Sequence, residues 1–297
     1  MAEGHRLLLE HGDGDVTITP WDKDEVDVVV RYRASVSKIG PGKIGDFEVV
    51  FSQKGKTLRI IGKEGDTYAV GFVSRSESEY TYKIQAPSYL LLELRGDDGD
   101  VSIRDWRAPI SCDLDDGDVD IHGVQARSTE IRLEDGDVQI EDLEGDLVVE
   151  GEDGSVDLRD CHFGLCRIEG EDGEVRIEDC EGSFELDTED GDQDAQRILA
   201  HRFEARTEDG DIELDLRRSE DLDLEVETGD GDVSVGLAAG FSLRFDVETD
   251  GGGIRVHLPD ATFVENEDDH VKGQQQGGRG RLRIQTDDGD VRLRETG

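Results

Sequence analysis

Basic residues are scarce in this 297-residue sequence: 33 Lys and Arg stand against 75 Asp and Glu, a formal charge of −42. Binding to a nucleic-acid backbone or to anionic lipid rests on clustered cations, so neither is expected as a partner. Cysteine is scarce too, and four in so long a chain are not a disulfide framework. Aromatic residues make up 5% and hydrophobic residues 34%, thin for one broad core. No apolar stretch approaches the roughly 20 residues of a membrane helix, so direct membrane insertion is not expected. The opening segment, MAEGHRLLLEHGDGDV, has neither a basic leader nor an apolar run of signal length. The expectation is a cytoplasmic protein as the sequence stands, surface-exposed only if an export signal has been removed.

Such a composition would suit disorder, but the chain repeats. Aligned on an Asp-Gly turn, the glycines Gly99, Gly117, Gly136, Gly154, Gly173, Gly191 and Gly210 follow one another at 18 or 19 residues. Gly231 and Gly252 come at intervals of 21, Gly289 comes 37 later, and Gly14 is an early copy. Two residues after the glycine stand Val16, Val101, Val119, Val138, Val156, Val175, Ile212, Val233, Ile254 and Val291. Seven before it stand Leu7, Leu92, Ile110, Cys166, Phe184, Phe203, Leu224, Phe245 and Leu282. The residues between are mostly charged, which is the period-two pattern of strands with one face in and one face out.

Two short strands joined by an Asp-Gly corner make one coil. Five or six inward side chains contribute on the order of 1.5–3 kcal/mol each, while ordering the backbone costs about 1–2 kcal/mol per residue. A lone coil therefore fails, and stacked neighbours supply the rest. The fold expected is an all-β parallel β-solenoid of ~18–19-residue coils in a single domain, 1–297. Residues 5–20 are its first coil, 21–90 an irregular N-terminal β cap of longer strands, and 91–260 the regular coils. A Gly/Pro-rich loop at Gly40 to Gly45 divides the cap. Residues 261–280 read as a flexible polar, Gly-rich loop and 281–297 as the closing coil. An open final coil offers an edge for a homodimer, with Arg292 and Arg294 as flanking protection.

Corner carboxylates are the most suggestive site. Asp98, Asp116, Asp135, Asp153, Asp172 and Asp190 precede the glycines, and Asp100, Asp118, Asp137 and Asp192 follow them. Stacked about 4.8 Å apart, they would form two negative ridges with the oxygen ligands that Ca²⁺ wants. The competing reading is that Asp-Gly is good corner chemistry and the acids are solvated. The spacing is not that of nine-residue calcium β-rolls. Cys161, Cys166 and Cys180 with His162 match no familiar zinc spacing, and Cys161 and Cys180 share an apolar position with Trp21, Trp106, Val124, Leu143 and Ile198.

No other cofactor is implied. Acids repeated uniformly do not make the paired, unequal carboxylates of a glycosidase, the seven histidines share no position, and no nucleophile elbow is present. GGRG at Gly277 reads as a flexible loop rather than a nucleotide site. The expectation is a non-enzymatic structural and protein-interaction module with an unknown protein partner. The alternatives are a calcium-binding or calcium-sensing module and, behind it, a nucleic-acid mimic.

Three segments stand out: YKIQAPSYLLLELRGDDGDVSI, where a strand meets Pro87 and the first clean coil, the serial coils of the TEDGDIELDL type, and the ending GQQQGGRGRLRIQTDDGDVRL. They resemble the toast-rack-like family of bacterial and archaeal β-solenoids, whose members carry the label adhesin. The resemblance implies a right-handed β-helix, often attached to membrane-stress or cell-surface modules, and carries over no catalytic residues.

Overall fold

A computed structural model describes residues 1–39, 42–43, 47–63, 68–69, 72–219 and 221–296, and these are all-β with no helix among them. They form two compact units, residues 1–136 and 137–297. In both, most strand pairs are parallel and hold the same repeat position opposite itself.

In the first unit, Leu7 and Leu9 face Leu92 and Leu94, which face Ile110 and Cys112 in turn. Val16 faces Val101, which faces Val119. All of these side chains are 2% exposed or less, so each column is a stack of aliphatic groups shut off from water. The opening coil is not the outermost rung. Strand Arg6–Asp13 pairs on its other side with Thr57–Lys63, placing Leu9 against Ile60, and Asp15–Pro20 pairs with Phe72–Ala86, placing Val16 against Tyr82. Those outer strands are covered antiparallel, Thr57–Lys63 by Glu48–Lys54 and Phe72–Ala86 by Asp27–Ile39. The Gly/Pro-rich loop expected at Gly40 to Gly45 falls largely outside the described residues.

In the second unit one column runs Val138, Val156, Val175, Gln193, Ile212, Val233, Val291 and Ile254. A second runs Cys166, Phe184, Phe203, Leu224, Leu282 and Phe245. The Phe184 and Phe203 rings stack at 5.2 Å between centroids. Gln193 alone interrupts the aliphatic column, and its amide donates to Thr188 Oγ1 at 3.0 Å and to the Arg206 carbonyl at 2.7 Å.

Three expectations need correction here. The closing coil is not at an edge: Gly280–Asp288 and Val291–Thr296 lie between the coils of Gly231 and Gly252. Arg292 and Arg294 therefore guard no open strand, because the strand that carries them is paired on both sides. Residues 261–280 are not a loop throughout. Thr262–Asn266 and His270–Gln275 form an antiparallel hairpin that extends the sheet beside Leu243–Thr249. Val271 and Gln275 alternate inward there, a period-two signal masked by the polar composition. Finally, Trp21 is half-exposed, unlike Trp106 at 0%. Its indole N–H donates to the Glu25 carbonyl at 2.7 Å and Lys23 sits 4.2 Å from the ring centre, outside the apolar stack.

Candidate functional site

The repeated corner is the candidate site. Its glycines up to Gly191 take positive φ, +138° at Gly154, +135° at Gly173 and +137° at Gly191, a region that L side chains rarely adopt. They also lie against one another: a Cβ on Gly173 would be 2.0 Å from the carbonyl oxygen of Gly154. The backbone amides of most corner glycines donate to the next coil, as Gly154 does to the Asp172 carbonyl at 3.1 Å. Conformation and close approach both demand glycine up to Gly191, and close approach alone does so at Gly210, Gly231, Gly252 and Gly289, which explains why the turn residue hardly varies.

The carboxylates after the glycines are engaged in the stack itself. Asp100 Oδ1 accepts the backbone N–H of Asp118 at 3.1 Å. In the second unit Asp137 Oδ1 accepts from Ser155 at 2.8 Å, Asp192 from Asp211 at 2.9 Å, and Asp211 from Asp232 at 2.8 Å. The row continues through the intercalated coil, where Asp232 accepts from Asp290 at 2.8 Å and Asp290 from Gly253 at 3.0 Å. Each carboxylate thus satisfies an amide of the neighbouring corner, a charge-assisted bond. Asp290, which also meets Arg255, has its carboxyl held below the usual range, chiefly by the Gly253 amide.

The carboxylates before the glycines behave differently. Asp98, Asp116 and Asp135 in the first unit, and Asp153, Asp172 and Asp190 in the second, face solvent. Their backbones are opposed in register, Asp98 to Asp116 to Asp135 and Asp153 to Asp172 to Asp190. Of the ten residues expected to form a cation ridge, six thus stand in outward rows. Of the other four, Asp100, Asp137 and Asp192 are amide acceptors in the ladder, and Asp118 gives its backbone N–H to Asp100. Among the described residues no three His, Cys, Asp or Glu side chains come together in a way that would hold a metal ion.

Two further rows escape a reading based on the apolar positions. Beneath the second unit's corners Thr188, Thr207, Thr228, Thr286 and Thr249 are buried in one column. The hydroxyls of all but Thr188 donate to corner carbonyls, as Thr228 does to Gly210 at 3.2 Å and Thr249 to Gly289 at 3.2 Å, while Thr188 accepts from Gln193. The sequence signal is a Thr three residues before each of five glycines. A second corner is formed by non-glycine residues at positive φ: Asp105 at +53° in the first unit, and Asp142 at +56°, Asp160 at +52°, Asp179 at +54° and Arg197 at +57° in the second. Asp tolerates this region better than most side chains. The Arg197 guanidinium binds Asp179 at 2.7 and 3.0 Å and holds its carboxyl below the usual range.

The thiols lie inside, and all four are free. Burial pushes the Cys112 thiol up to about 12 and raises Cys166 as well. Cys180 is raised by its thiol contact with Cys161 and by burial; its sulfur accepts the Cys161 amide at 3.4 Å. His162 points out towards Glu181 Oε2 at 4.0 Å, with its side chain 68% exposed. The imidazole and the buried thiols therefore face opposite sides of the strand, and the thiols pack as small apolar groups.

Residues 5–164 and 144–294 each match the family described as Toastrack DUF4097. Comparison with curated proteins gives no match. Among solved structures, a proposed cell adhesion protein from Clostridium sporogenes aligns over 98% of this chain and 93% of its own, at 9% identity and a TM-score of 0.25. A likeness at that level carries no argument about fold or role. No helix among the described residues is long and apolar enough to cross a membrane.

Proposed function

The chain belongs to the Toastrack family, and from that premise we propose that it is a non-enzymatic, adhesin-like structural module that displays rows of carboxylates to a protein partner. One observation carries the reading: the acids repeat as architecture. Those after the corner glycines support the next amide, as Asp211 does for Asp232 at 2.8 Å, while those before them form outward rows. A uniform row suits extended recognition of a basic surface, whereas hydrolytic chemistry needs two carboxylates in unlike surroundings. The finer architecture belongs to the same reading: coils of ~18–19 residues wound as a right-handed β-helix, with residues 21–90 as the N-terminal cap.

The test is affinity capture from the native cells with the wild type and with Asp153, Asp172 and Asp190 changed to Asn. The expected result is a partner with a basic surface, released by salt and lost with the variant. The reading fails if the capture is identical for both proteins, or if the purified chain cleaves an acidic polysaccharide. Calcium binding at the outward carboxylates is the other function these residues suit. It predicts a stoichiometric calorimetric titration that the same variant abolishes.

A further inference from the structure

The strongest departure from the acidic surface lies in the second unit, on the outer face where the terminal hairpin extends the sheet. The strands Gly280–Asp288, Leu243–Thr249, His270–Gln275 and Thr262–Asn266 follow one another across this face. They enclose a hollow of about 750 Å³, within the range of small-molecule sites. Its lining includes Arg244, Lys272, Arg279, Arg281 and Arg283, with His270, against the two carboxylates of Asp246 and Glu248. In a chain where acids outnumber bases 75 to 33 this is a reversal of sign.

The cations are placed by the fold. Arg244 and Arg281 are directly opposed on parallel strands, a like-charge pairing that is unfavourable when nothing lies between. Among the described residues neither they nor Arg279 make a salt bridge. Arg281 faces Asp223 across its other neighbouring strand without an ion pair forming, and Asp246 in the hollow is occupied by Lys272 and, at 2.8 Å, by His270. Arg279 is fixed by the turn before it: its amide donates to Ser242 Oγ at 3.2 Å, and that hydroxyl donates to the Gln276 carbonyl at 2.7 Å. Gly278 clears the room for Arg244, since a Cβ there would sit 2.8 Å from Arg244 Cγ. The GGRG segment is thus a turn that brings one arginine to the hollow and leaves space for another.

We propose that this hollow binds a small multivalent oxyanion ligand, held by the guanidinium groups of Arg244, Arg279 and Arg281. Guanidinium forks match the paired oxygens of carboxylate and phosphate, and a bound anion removes the repulsion between Arg244 and Arg281. The site is independent of the carboxylate rows and of whatever they recognise.

The experiment is calorimetric titration of the full chain with citrate and, separately, with pyrophosphate, against sodium chloride at matched ionic strength. Citrate tests the carboxylate source of the ligand and pyrophosphate the phosphate source. At least one gives saturable one-to-one binding beyond the chloride control. Arg244→Ala with Arg281→Ala weakens it about tenfold or more, as does Arg279→Ala alone. Arg167→Ala with Arg202→Ala, on outward positions elsewhere in the unit, leaves it unchanged. Should the double alanine variant not fold, Arg244→Lys with Arg281→Lys keeps the charge but removes the forks, and weaker binding is again expected. The proposal is overturned if neither anion binds beyond chloride, or if the Arg244 and Arg281 variants bind as the wild type does.

Discussion

The imidazole of His11 occupies the space that Gly96 leaves empty: a Cβ on Gly96 would lie 2.5 Å from His11 Nε2. The two residues are opposed on neighbouring strands, and His11 is 6% exposed. Burial pushes its pKa below the usual histidine range, against the raising influence of the Gly12 carbonyl, Asp97 and Asp13. The folded state thus favours the neutral ring, and the unfolded chain binds the extra proton. Stability is full above the ordinary histidine range and is lost as pH falls through it. Between pH 7.5 and 5.5 this fit adds to the pH slope of the urea midpoint a fall towards low pH, opposite in sign to the contribution of His270, whose pKa the bond to Asp246 raises. His11→Leu should remove that fall, and an unchanged slope would show that the His11–Gly96 fit carries no linkage.

The corner glycines set a second expectation. Gly173→Ala places a side chain at φ +135° and drives Cβ to 2.0 Å from the Gly154 oxygen. Backbone strain alone costs about 1–3 kcal/mol, and the clash adds to it. A thermal melt should show a large fall in midpoint, whereas Gly277→Ala, at φ +92° but with nothing within 4 Å of its added Cβ, carries backbone strain without the clash and should shift the midpoint less.

Replacing Asp211 separates charge from hydrogen bonding. Asp211→Ala removes the acceptor for the Asp232 amide, 2.8 Å away, a loss of about 1 kcal/mol. Asp211→Asn keeps an oxygen acceptor and removes one charge from a crowded row. At low ionic strength the Asn variant should melt at or above the wild type and the Ala variant below it. Equal melting of both variants would deny the ladder.

Salt dependence follows from the rows. Like charges about 5 Å apart repel by roughly 0.8 kcal/mol in bulk water, more near a protein surface, and salt screens them. The melting midpoint should rise from millimolar to molar sodium chloride. With the carboxylates after the glycines held by amides, calcium and magnesium at equal ionic strength should raise it alike. A calcium-specific rise saturating at low concentration would favour the cation-binding reading.

Much of this was legible beforehand. The columns of Val138, Val156 and Val175, or of Leu9, Leu94 and Cys112, are period-two patterning repeated at a fixed offset, and strand pairing in register converts offset into contact. The order of the rungs was not legible. Periodicity states that Val233, Ile254 and Val291 are equivalent, but not which neighbours which. Nothing local distinguishes a final strand added at an edge from one inserted between two coils. The hairpin of Thr262–Asn266 and His270–Gln275 was hidden because Lys272 and Gln274 face outwards and Gly273 lies inward, so few apolar side chains report the alternation. The role of Asp211 was equally hidden, since the same Asp-Gly-Asp text serves a cation ridge or an amide ladder. The direction of one carboxylate oxygen decides between them.

The central claim is that residues at one repeat position stack in a column and that the last coil lies inside that column. Ser234 is directly opposite Arg292, and Arg292's other neighbour is Arg255. Disulfide trapping of engineered cysteine pairs under mild oxidation reads this order directly. Ser234→Cys with Arg292→Cys should cross-link readily, while Ser234→Cys with Arg255→Cys, two rungs or about 9.6 Å apart, should stay reduced. Efficient cross-linking of the 234–255 pair with none for 234–292 would mean that the coils stack in chain order, and would contradict the account.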